Sequence, residues 1–160
     1  MQIRFIDRAA DVWQTVAEDA PLEPAAHRVL SLAQWQAVRA AWPADIAVGV
    51  RVPNTEDIET LAGDLPRFAL VVLEFPKWVD GRAYSQAHVL RQRLRYPGEV
   101  RAVGDVVVDM MLQLARTGFD SVVLREGQRQ ATAERALAFF PAFYQGDVLE
   151  PHPLFGRQAA

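Results

Sequence analysis

Phe68-Ala69-Leu70-Val71-Val72-Leu73-Glu74-Phe75 is an eight-residue apolar run broken by a single charge. Its length and branched residues fit a strand buried on both faces. Pro76-Lys77-Trp78-Val79-Asp80-Gly81 follows, and Asp80-Gly81 is a turn signal. From Ala83 to Arg95, the residues Ala83, Ala87, Leu90 and Leu94 share one helical face. An apolar strand, a polar loop and an amphipathic helix make one βα unit, and the end of such a strand is where α/β proteins place their sites.

The same pattern recurs on both sides. Ile46–Val52 is apolar and β-branched, and Asn54 is placed to cap a helix running to Asp64, with Glu56 and Asp57 in its first turn. Glu99–Val103 reads as a third strand, and Asp105 as the cap of a helix that turns Val107, Met110, Met111 and Leu114 inward and ends at Gly118. Ser121–Arg125 is a fourth strand, followed by a helix from Thr132 to Phe140 that Pro141 limits. Ahead of these units, Ser31 and Gln34 form a capping box for a helix over Leu32–Trp42. Residues 1–30 read as an irregular lead-in, with Ile3–Ile6 as a short strand or edge hairpin and Pro21 and Pro24 breaking any helix. Residues 31–145 read as one α/β domain, and 146–160 as an irregular tail.

Four tandem βα units require a mainly parallel sheet with right-handed crossovers. Two architectures satisfy this: a half-barrel of consecutive units, as in half a TIM barrel, or an open doubly wound three-layer sheet. Even spacing and the lack of a nucleotide-binding glycine loop favour the half-barrel. An open half-barrel exposes edges, so a homodimer is expected, covered by Trp13, Trp35, Trp42 or the Phe139, Phe140, Phe143 and Tyr144 cluster.

Composition narrows the chemistry. The chain has 160 residues and no cysteine, which excludes disulfides, thiolate metal sites and a cysteine nucleophile. Its three histidines lie far apart without ligand spacing, so no metal site is expected. No apolar run approaches the roughly 20 residues of a membrane span, and Met1–Arg8 lacks a secretory pattern; a cytoplasmic protein without membrane contact is expected. The net charge of −3 disfavours nucleic acid. From Phe75 to Arg101, however, six cations stand against two anions, a basic stretch that is either a solvated face or an attractor for small anions or acidic surfaces.

The ends of parallel strands converge on one face. Arg51, Lys77, Arg82, Asp105 and Arg125 therefore become a candidate charged rim, with Glu74 near it. Lys77, Arg82, Ser85 and Arg51 are the candidate anion-binding residues. Asp80, Arg82 and Asp105 are the candidates for acid–base or charge-stabilising roles. No dinucleotide, phosphate-loop, zinc or hydrolase fingerprint occurs, so no cofactor is evident. A flavin or nicotinamide carrier would need an unconventional site.

Phe75-Pro76-Lys77-Trp78, Asp80-Gly81-Arg82, Tyr84-Ser85-Gln86-Ala87, Leu90-Arg91, Gly98-Glu99, Arg101-Ala102-Val103-Gly104-Asp105-Val106, Asp109 and Gly118-Phe119-Asp120 together resemble the signature of a bacterial family of uncharacterised proteins. Members of that family are encoded beside the sulfite reductase haemoprotein and often labelled probable oxidoreductases. The likeness spans about residues 45–145 and is densest between 75 and 120; Trp78 stands where the family more often has Phe. It implies a role in assimilatory sulfur metabolism, as an accessory protein or oxidoreductase near sulfite reduction, with sulfite as the small anion and the haemoprotein as partner. A non-catalytic dimeric interaction module is the alternative.

Overall fold

The computed structural model describes residues 3–148 and 150–152. Seven strands, β1 (Arg4–Phe5), β2 (Gln14–Thr15), β3 (Arg28–Ser31), β4 (Val48–Val52), β5 (Phe68–Phe75), β6 (Glu99–Gly104) and β7 (Ser121–Val122), form one all-parallel sheet. The helices are α1 (Leu32–Val38), α2 (Arg82–His88), α3 (Met111–Thr117) and α4 (Gln130–Leu137). The strand order is β1-β7-β6-β5-β4-β3-β2. From β2 to β7 the sheet grows in one direction without reversal, so right-handed crossovers set α1, α2 and α3 on the same side, and α4 packs on α3. That is the half-barrel expectation, and the doubly wound alternative, which requires a reversal of strand order, is excluded.

Side-chain alternation divides the sheet into two faces. Val48, Val50, Val52, Val71, Leu73, Phe75, Val100, Ala102 and Val122 pack with the helices in the main core. Val29, Leu70 and Val72 point the other way, onto a concave face that none of the described helices covers, where Trp13 and Val103 join them. The stretch expected to be an irregular lead-in supplies three of the seven strands, and β1 pairs with β7 at the far edge of the sheet from β2. β1 falls within Ile3–Ile6, expected as a short strand or edge hairpin, whereas the two-residue β2 carries no periodic signal and is concealed.

The position of β1 constrains the curvature. Six strand spacings would set β1 and β2 about 29 Å apart in a flat sheet. Nine residue steps from Phe5 to Gln14 reach only about 30 Å when fully extended, and the chain spends part of that length on a turn closed by Ala10 N–H donating to the Asp7 carbonyl. The link therefore reaches β2 only because the sheet curls, and it runs over the concave face.

Several local expectations shift. α1 stops at Val38 and the fourth strand at Val122. The stretch after β4 forms two short 3-10 turns, Ile58–Leu61 and Leu65–Arg67, in place of one helix. Asp57, not Asn54, caps the first, accepting from Glu59 N–H at 3.0 Å, while Asn54 is buried. Asp105 caps no helix, because Val106–Val107 stay extended and Arg125 N–H bonds the Val106 carbonyl; Gln128 Oε1 instead accepts from Val108 N–H. The capping box of Ser31 and Gln34 and the left-handed Gly118 form as expected. Of the tail from 146, the described part holds no helix or strand; 149 and 153–160 lie outside the described residues.

After α2 the chain widens into a π turn over Val89–Arg93, which aims Arg91 inward. Arg91 donates to the carbonyls of Gly118, Tyr96 and Gly98 and to Asp120, tying α2 to the starts of β6 and β7. Replacing it by Ala removes a donor from three carbonyls and leaves Asp120 with only the Val100 N–H, and urea denaturation is expected to show a loss of about 2–4 kcal/mol. Gly104 holds φ +97°, and a Cβ there would meet the Phe75 carbonyl oxygen. Gly104→Ala is expected to cost on the order of 1–3 kcal/mol by the same measurement.

Candidate functional site

The strand ends do not form one charged rim. Each arginine there closes on a carboxylate of its own. Arg51 pairs with Glu74, Arg82 with Asp80 and Arg125 with Asp105 at 2.7 Å. The rest of the basic stretch is also engaged: Arg91 with Asp120, Arg93 with Glu59, and Arg101 with Asp11 and Glu99. Among its described cations, only Lys77 and Arg95 lack an ion pair.

Lys77, Trp78, Val79, Arg82 and Ser85 are all exposed, so the loop after β5 protrudes rather than lining a cavity. It is nevertheless braced. Asp105 Oδ2 accepts from Trp78 N–H at 2.9 Å while its other oxygen holds Arg125. Asp80 N–H bonds the Lys77 carbonyl, and the Asp80 carboxylate receives both the backbone N–H and the guanidinium of Arg82. Below the loop, Gln86 is buried and donates to the carbonyls of Pro53 and Glu56. Its Oε1 has no hydrogen bond among the described residues.

Charge states follow from these contacts. The Arg82 hydrogen bond holds the Asp80 carboxyl well below the usual range. The Trp78 N–H and then, against some burial, Arg125 lower that of Asp105. Both are fully ionised at neutral pH with their oxygens occupied, a poor state for proton transfer. Burial pushes the Tyr84 phenol up to about 12, and its ring packs on Phe75 and Phe119 with centroids at 5.0 and 6.4 Å.

A second region was hidden from sequence reading. The link after β1 lays Arg8, Asp11 and Trp13 across the concave face, enclosing a cleft of about 350 Å³ with Arg51, Glu74, Val72, Val103, Val123 and Arg101. Arg51, Val72, Arg101 and Ser121 stand in one register row across β4 to β7. Arg101, only 5% exposed in its side chain, donates to Asp11 Oδ2 at 2.6 Å and to Glu99 Oε1 at 2.8 Å. Burial disfavours the charge of Glu99, but hydrogen bonds from Ser121, Arg101 and Arg4 outweigh it and lower its pKa. One signal for this region was present: Gly49, alone in a β-branched strand, marks a close approach. A Cβ on it would lie 3.0 Å from Val29 and 3.3 Å from the Trp13 ring.

The candidate anion-binding residues are thus separated. Arg51 lines the concave cleft; Lys77, Arg82 and Ser85 line neither it nor the neighbouring cleft beside Ser31 and Glu56. The charge pattern also fixes a pH profile. Glu99 and Asp105 titrate below their ordinary 4.5 and 3.8 when folded, so their contribution is full above those values and lost as pH falls through the folded ones. Tyr84 is raised from 10.0 to about 12, so its contribution is full below 10.0 and lost as pH rises toward 12. Urea midpoints are expected to be level between about pH 5 and 9 and to fall on both sides, with Glu99→Gln flattening the acid limb.

Fold and site define an α/β half-barrel protein with a braced, protruding loop at its strand ends and an open cleft on its concave face. The chain belongs to the family described as bacterial protein of unknown function (DUF934), whose model matches residues 49–155. Comparison with curated proteins finds no match. The matched span holds β4 to β7 and the 77–85 loop, while Arg8, Asp11 and Trp13 precede it. Among the described residues no helix is long and apolar enough to cross a membrane, and no three His, Asp or Glu side chains cluster to hold a metal ion.

Proposed function

We propose that the protein is a docking accessory protein of sulfite reduction, and that the 77–85 loop is the surface it offers to the sulfite reductase haemoprotein. Trp78 carries this reading. It is 53% exposed while its backbone is fixed by Asp105 and, through Asp105, by Arg125. A large aromatic held out on a braced loop loses little freedom on binding, and such residues dominate interface energetics. Val79 extends the apolar patch, and Lys77 places an unpaired cation at its border, so an acidic rim around an apolar socket is the matching surface. The tie to sulfite reduction is supported by the resemblance of the motifs between 75 and 120.

The same loop can hold a small anion such as sulfite through Lys77 and Ser85, but Arg82 takes part only by giving up Asp80. Docking needs no such exchange. Recovery of the haemoprotein on immobilised protein is expected to fall at least fivefold with Trp78→Ala and to be unchanged with Glu134→Gln; equal recovery by the Trp78 variant overturns the reading. A homodimer is a second reading, favoured by Phe139 and Phe140, which are 72% and 51% exposed and pack on each other at 4.8 Å. Sedimentation is then expected to show a dimer that becomes a monomer with Phe139→Ser and Phe140→Ser combined; a wild-type monomer rejects it.

A further inference from the structure

The concave cleft is separate from the docking loop, and its lining differs in kind. Trp13 forms one wall, Val72, Val103 and Val123 form an apolar floor, and two exposed arginines, Arg8 and Arg51, stand at its border. The two are not equally engaged. Arg8 has no ion pair among the described residues. Arg51 spends Nε and Nη2 on one oxygen of Glu74, which leaves Nη1 without a hydrogen bond there. The third arginine, Arg101, is buried, and each of its three nitrogens is engaged by Asp11, Glu99 or Ser121. It shapes the floor rather than offering donors.

Volume decides what such a cleft suits. A bare oxyanion is about the size of two water molecules of roughly 30 Å³ each, and it would leave most of the 350 Å³ unfilled and the valine floor wet. Clefts of about 300 Å³ and more, largely apolar with a few convergent polar groups, are the usual seats of small organic ligands.

We propose that the concave cleft binds a small organic anion. Its carboxylate, sulfonate or phosphate group sits between Arg8 and Arg51 Nη1, and its flat or branched apolar body lies on the valine floor beside the Trp13 ring. The second oxygen of Glu74, which accepts no hydrogen bond among the described residues, favours ligands with a donor next to the anionic group. The recognition comes from two halves of the chain: Arg51 and the floor lie within the family span, and Arg8 and Trp13 lie before it.

Naphthalene-2-sulfonate, inorganic sulfate and 2-naphthol serve as probes on the full chain, by calorimetry and by the NMR shift of the Trp13 indole. The sulfonate is expected to bind at least tenfold more tightly than either sulfate or the neutral naphthol and to move the Trp13 signal. Arg8→Ala and Arg51→Ala are each expected to weaken it at least tenfold, while Arg82→Ala leaves it unchanged. Arg8 is exposed on the link, so its variant keeps the fold even where a Trp13 substitution does not. Sulfate matching the sulfonate, naphthol matching the sulfonate, wild-type affinity in both arginine variants, or no binding of any probe would each overturn the proposal. None of these outcomes bears on haemoprotein capture, which tests the docking loop alone.

Discussion

A length constraint organises this molecule. With its turn at Asp7–Ala10, the link between β1 and β2 is too short to span a flat seven-stranded sheet, so the sheet curls and the link crosses its concave side. Asp11 on the link meets Arg101 in the middle of β6, and Trp13 settles on Gly49, which has no side chain to obstruct it. One buried guanidinium thereby joins the N-terminal segment to the sheet and organises Glu99, Ser121 and, through Glu99, Arg4. The curl follows from connectivity, and the cleft follows from the curl.

The other half of the architecture depends on the helix-covered face. Strand order without reversal puts α1, α2 and α3 on one side, with α4 packed on α3, and there they bury the alternating valines and leucines of β4 and β5. This frees the concave face from covering a helix and lets polar residues stand on it in register, provided each has a partner. The ion pairs at the strand ends serve the same purpose. They hold loops in place, as Asp105 does for Trp78, and they leave the protein with fewer unpaired cations than its arginine content implies.

The legible and hidden parts of the sequence divide by physical cause. Phe68–Phe75 was legible because it is long, apolar and bounded by turn residues. Gly118 and the box of Ser31 and Gln34 were legible because their roles are local. β1 was legible as the short strand expected within Ile3–Ile6, but its place beside β7 was hidden, as was β2, since two residues have no period and the pairing of β1 is wholly long-range. For the site, the residue types could be read but not their partners. Arg101 bonds Asp11, 90 positions away, and Arg51 bonds Glu74, 23 away, and neither separation leaves a local mark. Asp105 looked like a helix cap because the residues after it favour a helix; an extended Val106–Val107 redirects it to the loop.

The most direct test of this account is a double-mutant cycle on Asp11 and Arg101, using Asp11→Ala, Arg101→Ala and the pair, with stability read from urea denaturation. If the link is pinned to the concave face as described, the two substitutions are coupled by about 1–3 kcal/mol. Additivity within about 0.5 kcal/mol would mean that the link is not held by this contact, and it would contradict the account of how the concave cleft is built.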